Sequence, residues 1–77
     1  MACAYAQVIE DYVVTLNFSD EQAEDLTTLL SLDSYRYANM TGGRASDGAR
    51  SAVREHKSMG HEAYVAHWEQ VRANDHR

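Results

Sequence analysis

The chain has no proline, a single cysteine, and neither lysine nor arginine before Arg36. Each lack excludes something. Without proline, turns must come from Gly42, Gly43, Gly48, Gly60 and from Asx or Ser residues. With Cys3 alone, no disulfide can form within the chain, which points to a reducing, cytoplasmic setting. No apolar run approaches the ~20 residues of a membrane span, so no membrane association is expected. The opening "MACAYAQVIE" has no basic segment ahead of an apolar one, so no signal peptide is expected. Seventy-seven residues make one domain, and a domain of this size is marginal unless a metal, a disulfide or a partner supports it.

The net charge of −5 conceals an asymmetry. Residues 1–34 carry seven acids and no Lys or Arg. Residues 35–77 carry all seven bases against five acids, with all four histidines, so the two parts stand at −7 and +2. An acidic half of this kind repels nucleic acid and favours basic partners.

"YVVTLNFSDEQAEDLTTLL", residues 12–30, is the most legible stretch. Val14, Leu16 and Phe18 alternate with Val13, Thr15 and Asn17, which predicts a strand with one buried face. "AYAQVI" ahead of it is also strand-like, either as the other arm of a hairpin turning at Glu10-Asp11 or as part of one long bulged strand. Ser19 then reads as a helix N-cap, with Gln22 completing a capping box and Phe18 and Ala23 at the staple positions. Asp20 and Glu21 suit the positive end of the helix dipole. The helix is expected over about Ser19 to Leu32. Its apolar face is Ala23, Leu26, Leu29 and Leu30; Glu21, Glu24 and Asp25 stand opposite. A short third strand is expected at residues 35–39. A second helix, capped by Ser46 or Asp47, runs to about Lys57 with Ala49, Ala52, Val53 and His56 as its apolar stripe. After a break at Gly60, a last helix from about Glu62 to Ala73 presents Tyr64, Trp68 and Val71 on one side. The expected architecture is α+β: a short N-terminal antiparallel strand pair packed with two to three helices.

Residues that carry chemistry are few. His56, His61, His67 and His76, with Glu55 and Glu62, are of metal-ligating type, but zinc ligands converge at spacings such as i, i+4 on one helix. His56 and His61 are five apart across Gly60, and His61 and His67 six apart. Neither metal nor cofactor is expected. Cys3 has no His–Asp partnership implied by spacing, and no enzyme is expected. "TGGRASDGAR" puts two glycines, Arg44 and a helix start together, as an anion cradle would, without the full phosphate-loop pattern. Arg50, Arg54 and Lys57 then recur at i, i+4, i+7. This basic stripe either meets phosphates or, the favoured reading, pairs with the acidic helix of its own fold or of a second subunit.

Tyr64 and Trp68 read as core or as partner contacts. Three apolar faces in so short a chain leave the Tyr64–Trp68–Val71 stripe in need of a second subunit, so a homodimer is expected. The remaining expectation is a binding protein whose partner contacts include Glu21, Glu24 and Asp25.

The order strand, capped helix, loop, helix over Val13–Leu32 resembles the ribbon-helix-helix repressors and antitoxins. That resemblance implies a DNA-binding dimer reading bases through Thr15 and Asn17, although Val13, Thr15 and Asn17 include no Lys or Arg to meet phosphate. "VVTLNFSDEQAEDLTTLL" also resembles the opening of many small actinobacteriophage proteins, and this is the favoured resemblance. It implies an accessory protein of the host cytoplasm that binds and inhibits or modulates a host protein, such as a nucleic-acid-binding or defence complex.

Overall fold

The strongest local signal, Ser19, starts a helix as its chemistry requires. In the computed structural model, which describes residues 4–75, the Ser19 hydroxyl accepts the Gln22 amide at 3.3 Å and the Gln22 side chain accepts the Ser19 amide at 3.1 Å. That helix is the second of four: α1 (Ala4–Thr15), α2 (Asp20–Thr41), α3 (Ala45–Met59) and α4 (His61–Asp75). Among the described residues there is no strand, so the architecture is all-α and the expected α+β class is corrected.

The correction is largest at the N-terminus. Residues 4–15, expected as strand, form α1, and Leu16 and Asn17 close it by donating to the Tyr12, Val13 and Val14 carbonyls. Asn17 takes a left-handed φ of 56°, which turns the chain toward Ser19. The apolar residues that decide the matter are Ile9, Tyr12 and Val13, buried at i, i+3, i+4 with Leu16 half-buried beyond them. That is a helical stripe, and Val14, assigned to a buried strand face, is 72% exposed. The strand on which the ribbon-helix-helix resemblance rested is therefore helix and turn.

The expected third strand at 35–39 is likewise helical. Helix α2 continues to Thr41 because Asp33 and Ser34, which resemble turn formers, point inward and bond to other elements. The Ser34 hydroxyl donates to the Ala45 carbonyl at 2.9 Å, and Asp33 accepts from Tyr64. Gly42 ends α2 at φ 69°, in the left-handed region open to glycine. Helix α3 starts at Ala45 after Arg44, whose side chain makes no capping bond; neither Ser46 nor Asp47 is the cap. Gly60 (φ 92°) separates α3 from α4, as its position in the sequence predicted.

Helix α3 is the central element, packing against α1, α2 and α4. Its side toward α2 is small: Gly48, Ala49 and Ala52 are buried, and Gly48 lies against the Ser34 backbone. Around it gather Ile9, Tyr12 and Val13 from α1, Leu26, Leu29 and Leu30 from α2, and Tyr64 and Trp68 from α4. Tyr64 is 0% and Trp68 5% exposed within this one chain. The stripe expected to require a second subunit is thus covered internally, and the packing argument for a homodimer falls away. No helix among the described residues is long and apolar enough to cross a membrane.

Candidate functional site

The four helices converge on a buried polar and aromatic cluster. Tyr12 from α1 shares a hydrogen bond with His56 Nδ1 of α3. On the other side of the same ring, His56 Nε2 meets Nδ1 of His61, at the start of α4, at 3.1 Å. One neutral tautomer set satisfies this row: the Tyr12 hydroxyl donates to His56 Nδ1, and His56 Nε2–H donates to His61 Nδ1. The rings are packed edge to face, with centroids 5.4 Å apart for Tyr12–His56, 5.0 Å for His56–Tyr64 and 5.5 Å for Phe18–His61. Burial, and then the neighbouring His61, hold the His56 pKa below its usual value. Burial holds the Tyr12 phenol above its own.

Beyond His56 the cluster continues to Asp33. The Tyr64 hydroxyl donates to Asp33 Oδ2 at 3.3 Å and approaches the Leu29 carbonyl at 3.5 Å. Asp33 is 5% exposed, and burial lifts its pKa to about 6, helped by the Glu55 carboxyl bonded beside it and opposed by Tyr64 and Arg36. Burial also raises the Tyr64 phenol, followed by the charge of Asp33. The Trp68 indole N–H is buried beside Tyr64, with ring centroids 6.5 Å apart. Asp33 and Glu55 line a cavity of about 280 Å³, together with Arg36, Tyr37, Met40 and His67. A carboxyl lifted toward neutrality occurs both in acid–base sites and in packed networks; here burial, and then Glu55, account for the lift.

Spacing along the chain concealed this cluster. His56 and His61 do not share a helix face, but Gly60 turns the chain between them and brings the two rings together. Tyr12 and His56 are separated by forty-four residues. The readable signal was His56 itself, a titratable ring inside an apolar stripe. Among the described residues no group of three or more His, Cys, Asp and Glu could hold a metal ion. Cys3 and His76 lie outside the described residues.

The sequence-predicted residues separate into three places. Tyr64 and Trp68 are interior. Glu21, Glu24 and Asp25 are all exposed on α2. They face different surroundings: Asp25 lines a furrow toward α4 with Glu69 and Arg72, whereas helical periodicity puts Glu24 on the strip beside Ala23 and Thr27. The basic stripe is divided as well. Arg50 and Arg54 border a shallow depression with Thr41, Gly43 and Ser51, while the Lys57 ammonium sits 5.4 Å from the Tyr12 ring centroid. Arg44 is exposed ahead of α3. The anion-cradle geometry is compromised, because the Gly43 amide is taken by the Thr41 hydroxyl at 3.2 Å and Asp47 borders the same depression.

A scan against protein-family models, a search of curated proteins and a search of solved structures each returned no match.

Proposed function

We propose that this chain is a non-enzymatic binding protein that docks a basic protein partner through its acidic N-terminal half. The observation that supports the reading is the run of acids along α1 and the first part of α2, ahead of Arg36. Residues 1–34 hold seven acids and no base. Of these, Glu10, Asp11, Asp20, Glu21, Glu24 and Asp25 are exposed, and only Asp33 is drawn into the core. Charge left unpaired on a small fold costs stability by self-repulsion and steers a partner of opposite sign. A basic, nucleic-acid-binding protein is the partner class that such a surface suits.

Affinity capture tests this. The chain with Glu21→Gln, Glu24→Gln and Asp25→Asn, which lie at exposed positions, is compared with the unaltered chain at low salt. Loss of the captured partner in the triple variant supports the acidic face; undiminished capture contradicts it.

A further inference from the structure

Between α1 and α2 runs a groove of about 470 Å³ that the core leaves open. Its floor is apolar, made by Ile9 and Val13. Ala6, Ala23, Thr27 and Ser31 keep most of its wall low, and Tyr5, packed edge to face on Tyr35 at 6.1 Å, is the one bulky wall residue among those described. At its mouth Val14 is 72% exposed, an apolar side chain with little to cover it. Among the described residues, the one charged residue lining the groove is Glu10. Asp20 and Glu24 stand on the adjoining strip of α2, and no base occurs on α1 or on α2 before Arg36.

We propose that this groove receives a basic amphipathic helix of the partner protein, with an apolar ridge seated on Ile9 and Val13 and Lys or Arg side chains reaching Glu10, Asp20 and Glu24. The inference rests on the binding function proposed above and names the chemistry of its partner. A helix suits the trough because small wall residues let a third helix approach two others closely, ridge into groove. Charge complementarity selects the basic flanks. Among the described residues, a second copy of this chain has no such element to offer. Its bases are concentrated on α3, whose apolar side, Ala49, Ala52 and His56, is already buried in its own fold.

The probe is a synthetic helical peptide with leucine at every third or fourth position and lysine elsewhere; the same peptide with glutamate for lysine is the control. Two variants alter the groove at exposed positions and leave the core untouched. Ala6→Trp fills it, and Val14→Lys places a positive charge at its mouth that repels a basic helix; circular dichroism confirms that both remain helical. The expected result is binding of the lysine peptide alone, amide shifts concentrated at Ala6, Val13, Ala23 and Thr27, and roughly tenfold or greater weakening by each groove variant. Binding that ignores both variants but weakens with Glu21→Gln plus Asp25→Asn overturns the groove and leaves the acidic-face reading standing. Equal binding of both peptides, or of neither, overturns both. If the unbound protein sediments as a dimer that Ala6→Trp converts to monomer, the occupant is a second copy, and the proposal fails on its partner.

Discussion

Gly48 of α3 lies so close to Ser34 of α2 that a Cβ added there would stand 2.3 Å from the Ser34 carbonyl oxygen and 2.9 Å from its hydroxyl. The neighbour is backbone, which cannot swing aside. In an open helix interior, Gly→Ala stabilises by about 0.5–1 kcal/mol. Here the steric term governs the sign. Gly48→Ala is expected to destabilise by about 1–3 kcal/mol, the usual cost of overpacking, as a lowered urea midpoint. A gain in stability would show that α2 and α3 cross farther apart.

Asp33 gives the fold an alkaline weakness. Its carboxyl titrates at about 6 in the folded chain against 3.8 unfolded. The folded state therefore binds the extra proton between those values. The stabilisation is full below pH 3.8 and is lost as pH rises through about 6. Asp33→Asn keeps an acceptor for Tyr64 and has no charge to bury. It is expected to raise the melting temperature at pH 8 and to change it little at pH 4. Equal effects at both would mean that the carboxyl is not held up by burial.

His56 acts in the opposite direction. Its folded pKa lies below the unfolded 6.5, so its contribution is full above pH 6.5 and declines as pH falls. Tyr12→Phe removes the hydroxyl from Nδ1 and leaves a buried ring nitrogen unpaired, at a cost of about 1–3 kcal/mol. Urea titration at pH 7.5 measures that cost. NMR titration of the His56 ring, which should charge below pH 6.5, reads the pKa directly; a midpoint above 6.5 would contradict the burial account.

How much of this was legible depended on range. The Ser19 capping box, the apolar faces Leu26–Leu29–Leu30 and Ala49–Ala52–His56, and the break at Gly60 are local features, and local chemistry predicted them. The N-terminal helix was misread because Val13, Val14 and Thr15 are β-branched and because Val14, Leu16 and Phe18 alternate with Val13, Thr15 and Asn17 over a short window. The competing stripe Ile9, Tyr12, Val13, Leu16 becomes decisive only once α3 is there to receive it. Asp33, Ser34, Tyr35 and Tyr37 suggested a turn and a strand, but the inward polar pair is held by Ala45 and Tyr64, residues distant in sequence. The His56–His61 contact depends on the chain reversal at Gly60, which spacing rules for one helix do not describe. The acidic composition of residues 1–34 was readable directly, whereas the separation of Asp25 from Glu24 depends on where α4 lies.

The most direct test of the central claim, that uncompensated acidic charge recognises the partner, is the salt dependence of binding. Calorimetry with the captured partner, from about 50 to about 500 mM salt, gives the dissociation constant as screening shortens the Debye length. Kd is expected to rise steadily with salt, and the Glu21→Gln, Glu24→Gln, Asp25→Asn variant to bind more weakly with a shallower slope. A Kd that is flat across this range, and equal for the variant, would contradict it.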